Sequence, residues 1–413
     1  MLLLRNARII DGTGAAPVKD QAVLIKGKTI AGVGPEESLN FPNDVAQIDL
    51  GGKTLMPGFI DCHVHITMNP DPKAPPPRFT NIPVRDAAYW KSRSLLYALN
   101  AARQTAEAGF TTVQDLTGLN ELVFPLRDSI AAGEYVGSRI LSSGICITLT
   151  GGHGTEWAGW AIVADGPHEV VKAVRQQVTA GADVIKYMGG TRAAFSAPFR
   201  GRQGYITEEM QPGIEEAHRA GLRVAVHAHS DVEGIKNSIR AGVDSIEHGV
   251  PMDDEALEMM AERGTYLCPT LSVYPASVEL VEEGIWAYPG SEDRVRQLAE
   301  DAPKVIERAR AIGVKVALGT DASMPRVWHG GNAREFELMV DYGMTPMEAI
   351  VAGTRNAAEN LGLLDQIGTI ETGKLADLVV VDGDPLDNIR VLKDLQCIKL
   401  VLKEGHTVID RGI

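Results

Sequence analysis

Short apolar runs that end in polar, metal-capable side chains are the feature that most constrains this chain. Runs of Val, Ile and Leu of this length are typical of buried parallel strands. When several such strands end in ligand-type residues, their carboxyl ends can form one mouth, as in the active sites of barrel enzymes. The residues that end these runs are Asp61, Cys62, His63 and His65, then Lys186, His227 with His229, His248 and Asp321.

The segment 56–364 alternates such strands with helical patterns, which predicts a parallel sheet of the α/β class. A helix start signal, for example, stands at Thr207 before the periodic stretch up to Ala220. Eight strands match a (β/α)8 TIM barrel. A doubly wound sheet is the alternative, although its glycine fingerprint after the first strand is missing. The predicted strands are 57–63, 110–115, 139–143, 183–188, 223–228, 244–248, 265–269 and 315–320.

The two chain ends, 1–55 and 365–413, have a different pattern of short strands separated by turn residues. Examples of such turns are Asp11-Gly12-Thr13-Gly14 and Asp382-Gly383-Asp384-Pro385. A lone hairpin or two is marginally stable in water. We therefore expect both ends to combine into one small β-sandwich domain beside the barrel domain 56–364.

Charge and composition exclude some classes of protein. Lys+Arg 40 against Asp+Glu 54 gives a net charge of -14, which argues against a nucleic-acid partner. No apolar stretch in the sequence approaches the length of a membrane span, and the first residues are too short for a signal peptide. The four cysteines lack CxxC spacing, which is typical of reduced thiols in a cytoplasmic protein.

The histidines and the aspartate predict a metal site. His63 and His65 are two residues apart on a strand, so their side chains point the same way. Asp321 ends the last strand, which lies beside the first in a closed barrel. His227 and His248 end two neighbouring strands. Imidazole and carboxylate ligands favour Zn²⁺, although Mn²⁺, Co²⁺ and Fe²⁺ accept the same ligands.

In combination, the motifs resemble the amidohydrolase superfamily, in the branch of imidazolonepropionases and metal-dependent Xaa-Pro dipeptidases (prolidases). The resemblance covers nearly the full length. The motifs that carry it are Pro57-Gly58-Phe59-Ile60-Asp61-Cys62-His63-Val64-His65, Ile185-Lys186, Val226-His227-Ala228-His229, Ile246-Glu247-His248-Gly249 and Gly319-Thr320-Asp321.

The resemblance implies two divalent metal ions, with Zn²⁺ the first expectation. It assigns His63, His65 and Asp321 to one ion, His227 and His248 to the other, and a bridging position to Lys186 as N6-carboxylysine. A lysine among cations has a lowered pKa, and its neutral amine can react with carbon dioxide. A metal-bridged hydroxide would then attack an amide-type carbonyl, with Asp321 as the catalytic proton acceptor and donor. His229 shares the face of His227, so the choice of ligand between them stays open.

Four side chains are predicted to contact a small-molecule amide or dipeptide substrate. By resemblance, Tyr187 contacts the substrate carboxylate, and Arg192 in the following loop suits the same group. His153, in a glycine-rich turn, is placed to steady the carbonyl oxygen. His229 is a further substrate contact if it is not a ligand. We therefore expect a dipeptidase of the Xaa-Pro type or an N-acyl amino acid hydrolase.

Three alternatives remain. The first is a cyclic-amide hydrolase of the imidazolonepropionase type, and the second is an amide, carbamate or urea hydrolase for uncharged substrates. The third is a catalytically silent interaction protein on the same scaffold, which is disfavoured because all six ligand positions are filled. Relatives often assemble, so we also expect a homo-oligomer.

Overall fold

The structure is a computed structural model that describes residues 1–68, 84–155, 159–189, 204–229, 231–285 and 291–413. Within these ranges the strands are β1 Leu2–Ile9, β2 Val18–Lys26, β3 Thr29–Gly34, β4 Ala46–Asp49, β5 Thr54–Pro57, β6 Phe59–Val64, β7 Phe110–Asp115, β8 Arg139–Ser142, β9 Cys146–Thr148, β10 Ala161–Val163, β11 Val184–Met188, β12 Arg223–Ala228, β13 Ser245–His248, β14 Tyr266–Cys268, β15 Leu378–Val381, β16 Ile398–Lys403 and β17 His406–Asp410.

The helices in the same ranges separate most of the central strands. They are α1 Val84–Glu107, α2 Asn120–Ala131, α3 Gly166–Ala180, α4 Thr207–Arg219, α5 Val232–Ala241, α6 Asp254–Arg263, α7 Val273–Glu282, α8 Glu292–Ile312, α9 Arg334–Asp341, α10 Pro346–Ala352 and α11 Arg355–Asn360. None of the helices in the described ranges is long and apolar enough to cross a membrane.

Helix α4 shows how the sequence pattern produces these elements. It begins at Thr207, and the Glu209 side chain accepts a hydrogen bond from the backbone N–H of Ile206. Met210, Ile214 and Ala217 recur at helical spacing and are buried. The predicted helix start is therefore confirmed, and the apolar stripe packs the helix onto the strands.

Strands from both chain ends form one eight-stranded sheet, in the order β17-β16-β15-β5-β1-β2-β3, with β4 paired to β1. β15 runs antiparallel to β5, with Val379 opposite Met56. Leu378 and Leu400 pack with Leu55 on one face, whereas Val379 and Val401 belong to the main core of the molecule. The strands of the predicted sandwich are thus found in a single sheet that rests on the α/β part.

The central strands are all parallel and form two sheets. One sheet is β6-β7-β8, and the other is β10-β9-β11-β12-β13-β14. The short strands β9 and β10 were not among the predicted elements. The α/β class with parallel sheets is confirmed.

The predicted strand 315–320 is corrected: the segment forms isolated bridges rather than a continuous strand. Val316 bridges to Leu267 of β14, and Ala322 bridges to Val64 of β6. Beyond it, Asp321 and Ser323 have φ values of 60° and 88°, in the left-handed region, so the extended conformation does not continue past Thr320. The segment nevertheless lies between β14 and β6, where it carries Asp321.

Candidate metal centre

The two histidines at the carboxyl end of β6 lie against Asp321, which follows the segment 315–320. His63 lies in β6 and His65 directly after it, and both are buried. Nε2 of His65 is 3.0 Å from Oδ1 of Asp321, and Nε2 of His63 is 3.5 Å from the same oxygen. The three side chains offer ligand atoms that all lie within 4.8 Å of one another. This arrangement suits one metal ion.

A second set of donors lies against the first. The rings of His227 and His248 have centroids 4.6 Å apart, and those of His63 and His248 are 5.0 Å apart. Lys186 in β11 is 2% exposed. Neither its Nζ nor Nε2 of His227 has a hydrogen-bond partner in the part of the chain that the structure describes. Buried polar atoms are seldom left without partners, so these atoms fit a site built for cations.

The histidine rings are held from behind by the protein. Nδ1 of His63 is 2.7 Å from Oε2 of Glu247, and Nδ1 of His248 is 2.7 Å from the Thr270 hydroxyl. Nδ1 of His65 is 3.4 Å from a backbone carbonyl. When Nδ1 donates to such a partner, the lone pair of Nε2 is free for a metal. The donor set therefore fits divalent ions.

Electrostatics favours the protonation states that bind metals. Burial lowers the pKa values of His63, His227 and His248, so these rings are neutral. Burial also lowers the pKa of Lys186. For Asp321, burial raises the pKa, but the nearby His63 and His65 outweigh it, and the pKa lies below its ordinary value. Neutral imidazoles and an ionised carboxylate are the ligand forms.

Two predicted ligands have strained backbones. His248 and Asp321 have φ values of 67° and 60°, which residues other than glycine rarely adopt. Strain of this kind persists only where the surroundings hold it, and it clusters at functional sites. Both residues are the last of their strand or segment, where the left-handed turn aims the side chain into the site.

Asp61, which precedes the ligand strand's histidines, ties this strand to the Asp321 segment. Its carboxylate accepts hydrogen bonds from the Thr320 hydroxyl at 2.6 Å, from Asn332 Nδ2 at 2.7 Å and from the backbone N–H of His63 at 3.0 Å. Burial raises its pKa to about 6. Sequence reasoning did not assign this role to Asp61, because Thr320 and Asn332 are 259 and 271 residues away and only the fold brings them close.

The structure places His153 and His229 at the donor cluster. His153 is stacked on His227 with ring centroids 4.6 Å apart. His229 lies 5.7 Å from His248, farther than the 4.6 Å of His227. This difference favours His227 as the ligand and leaves His229 on the wall of the site, where its ring is 6.2 Å from that of Tyr274.

Tyr187 does not lie at the site, so its predicted substrate contact is corrected. Neighbouring residues on a strand face opposite sides, and Lys186 faces the histidines. Tyr187 is fully buried on the other face, edge-on to Tyr205. A Cβ on Gly213 of α4 would meet the Tyr187 hydroxyl at 2.3 Å, so this hydroxyl is pressed against the helix layer. Arg192 lies outside the described residues.

Comparisons with known proteins show the family to which this chain belongs. The amidohydrolase family pattern matches residues 54–408. This chain belongs to the amidohydrolase family. It is therefore a hydrolase of the class that acts on carbon–nitrogen bonds, in a family that generally binds divalent metals.

Individual relatives of this amidohydrolase confirm the branch. Ochratoxinase of Aspergillus niger is 30% identical, covering 98% of this chain and 86% of the relative. Imidazolonepropionase of Agrobacterium fabrum is 26% identical over 92% of this chain and 89% of the relative. A crystal structure of a Xaa-Pro dipeptidase with methionine bound in its active site is 33% identical, with a TM-score of 0.87, and covers 98% of this chain and 99% of that one.

Proposed function

We propose that this amidohydrolase is a metal-dependent dipeptidase of the Xaa-Pro type or an N-acyl amino acid hydrolase. The observation that carries the proposal is the convergence of His63, His65, His227, His248, Lys186 and Asp321 in one buried cluster. We further propose that the two parallel sheets and the segment 315–322 form a closed barrel, that residues 1–55 with 365–413 and 56–364 are its two domains, and that the protein is a homo-oligomer.

The donor set fits two divalent ions, with Zn²⁺ the first choice. His63, His65 and Asp321 would hold one ion, and His227 with His248 the other. Lys186 would bridge them as N6-carboxylysine, because a buried amine with a lowered pKa is neutral enough to react with carbon dioxide. When bound, such ions make water acidic and polarise the substrate carbonyl.

Asp321 is placed to move the proton of the reaction. Its Oδ1 lies within 3.5 Å of both histidines of the first set, and its pKa is lowered, so it is ionised and ready to accept a proton. It would take this proton from the attacking water and give it to the leaving nitrogen. His153 lies across His227 and would steady the carbonyl oxygen.

The side of the site formed by His229 and Tyr274 favours an anionic substrate end. Burial, and next the positive charge of Arg294, lower the pKa of His229 to about 4. Tyr274 beside it is buried, and its hydroxyl has no hydrogen-bond partner among the described residues. A carboxylate here would meet the Tyr274 hydroxyl and would be favoured by the positive charge of Arg294. The methionine in the similar Xaa-Pro dipeptidase is an amino acid, which supports this substrate class.

Paired substrates test the choice. Metal-loaded protein is assayed with Xaa-Pro dipeptides and N-acyl amino acids, each beside its C-terminal amide. Because a hydrogen bond to a charged group contributes about 1.5–3 kcal/mol, we expect kcat/KM to be about 10–100-fold higher for the free acids. If no free acid is hydrolysed, the substrate assignment is wrong. Equal rates for acids and amides would favour the hydrolases of uncharged substrates.

Asp321→Asn tests the proton transfer. We expect kcat to fall by about 10²–10⁴-fold, because the amide cannot accept the proton of the water. Asp377→Asn is the matched control, since Asp377 is also buried but lies directly before β15, beside the eight-stranded sheet. Steady-state kinetics measures kcat, and the metal content of each variant is recorded. Equal losses of kcat in the two variants would contradict proton transfer by Asp321.

A further inference from the structure

The turn after β14 contacts the metal centre through Thr270. Thr270 is fully buried, and its hydroxyl lies 2.7 Å from Nδ1 of His248. Its φ of 48° is in the left-handed region, which is costly for a β-branched residue. Contacts from outside Thr270 must therefore hold this conformation.

Glu335 in the first turn of α9 supplies those contacts. Its Oε1 accepts a hydrogen bond from the backbone N–H of Leu271 at 2.5 Å. Its Oε2 accepts one from the backbone N–H of Ser272 at 2.9 Å and one from the Ser272 hydroxyl at 2.7 Å. Glu335 is fully buried, and within the described ranges it forms no ion pair. The carboxyl group thus fixes the two residues that directly follow Thr270.

We propose that Glu335 is a positioning residue for the metal centre, acting through the turn that carries Thr270. By holding Leu271 and Ser272, it keeps the Thr270 hydroxyl where it accepts a hydrogen bond from Nδ1–H of His248. In this tautomer the lone pair of His248 is on Nε2, toward the other donors. The inference rests on the proposed metal binding of this site.

A purely structural role is the competing explanation. Leu271 and Ser272 immediately precede α7, so Glu335 could serve only to satisfy backbone N–H groups at the start of that helix. Such a role would lower the stability of the fold when Glu335 is changed. It would not alter how tightly the folded protein holds a metal, and this difference separates the two explanations.

The test measures metal affinity rather than activity. Metal-free protein is titrated with Co²⁺ in competition with a chelator, and the absorption spectrum of the bound ion is recorded. We expect the Glu335→Gln and Thr270→Val variants to bind Co²⁺ at the site of His248 about 10–100-fold less tightly, as is typical when a group that orients a metal ligand is lost. Thr270→Ser keeps the hydroxyl and should restore the affinity and the spectrum of the original protein.

Two controls make the result specific. The double variant Thr270→Val/Glu335→Gln should bind Co²⁺ no more weakly than Thr270→Val alone, because both changes break one pathway. Asp377→Asn also removes a buried carboxylate that accepts a backbone N–H, at 2.7 Å. Asp377 lies directly before β15, beside the eight-stranded sheet, so this substitution should leave Co²⁺ affinity unchanged.

Unchanged Co²⁺ affinity in Thr270→Val, or additive losses in the double variant, would overturn the inference. If Glu335→Gln does not fold, Thr270→Val with its serine counterpart decides the question. An original protein that binds no Co²⁺ would instead overturn the proposed function, and this inference with it.

Discussion

At the scale of single residues, the buried acids around the metal centre differ in what compensates their charge. For Glu247, burial raises the pKa, but the hydrogen bonds that it accepts from His63 and Ser245 help to outweigh it, so the pKa is lowered. Asp61 has only neutral donors, and its pKa rises to about 6. Glu335 also has only neutral donors, and burial raises its pKa to about 8. The cost of ionising Glu335 should therefore be measurable.

We predict that Glu335 makes the fold less stable as the pH rises from 5 to 8. The unfolded chain loses this proton near its ordinary pKa of 4.5, whereas the folded protein keeps it up to about 8. The stabilising contribution is complete below 4.5 and is lost as the pH approaches 8, at about 1.4 kcal/mol per pH unit. Urea unfolding of chelator-treated protein measures this dependence.

Glu335→Gln is the control for this dependence, because glutamine does not titrate. The variant is less stable at pH 5, since it loses hydrogen bonds to the turn, but its deficit should narrow as the pH rises. Two stability curves that stay parallel between pH 5 and 8 would show that another group is responsible.

At the scale of secondary-structure elements, Gly213 of α4 leaves room for the Tyr187 side chain on the face of β11 that points away from the site. Gly213 of α4 has no room for a Cβ, which would lie 2.3 Å from the Tyr187 hydroxyl and 2.5 Å from Cγ1 of Val170 in α3. Because Gly213 has no side chain, the Tyr187 hydroxyl fits against α4. Tyr187 therefore fills the space between strand and helices, and Lys186 takes the opposite face.

We predict that Gly213→Ala destabilises the protein by about 1–3 kcal/mol, because the added methyl group overpacks this contact. Tyr187→Phe removes the nearest atom and should recover part of that loss in the double variant. By itself, Tyr187→Phe should leave kcat/KM unchanged, since the hydroxyl does not lie at the site. Urea denaturation and kinetics measure the two effects, and a large loss of kcat/KM in Tyr187→Phe would restore the original substrate assignment.

At the scale of the whole molecule, a partly buried charge cluster joins the eight-stranded sheet to the parallel strands. Arg139 at the start of β8 contacts Asp377 at 2.6 Å and Glu404 at 3.0 Å. Asp377 is the residue immediately before β15, and Glu404 lies between β16 and β17. Asp377 is almost fully buried, and its carboxylate accepts hydrogen bonds from Arg139 and from the backbone N–H of Glu404. The cluster connects segments that are far apart in the chain.

We predict that Arg139→Met lowers the free energy of unfolding by about 3–5 kcal/mol, because it leaves Asp377 buried without its cation. Arg175→Met is the matched control, because it breaks a surface pair with Glu216, which should contribute little to stability. Urea unfolding measures both variants. Equal, small losses would show that the cluster contributes little to holding the sheet in place.

The sequence by itself determined the α/β class and most of the central strands, and it pointed to polar residues at their ends that the fold brings together. These features depend on local patterns, because a buried strand needs an unbroken apolar run and a ligand must follow it. The family motifs are equally local. For this reason His63, His65, Lys186, His227, His248 and Asp321 could all be named, and the fold brings them into one buried cluster.

Only the tertiary structure decided which atoms hold those donors in place. Glu247, Thr270 and Glu335 support the histidines through contacts between distant segments, and no local pattern identifies such partners. The orientation of Tyr187 also depended on packing. A strand that is buried on both faces does not alternate between apolar and polar residues, so its sequence does not indicate which side chains face the site. Burial and neighbouring charges likewise set the pKa values, because both arise only when separate segments exclude water together.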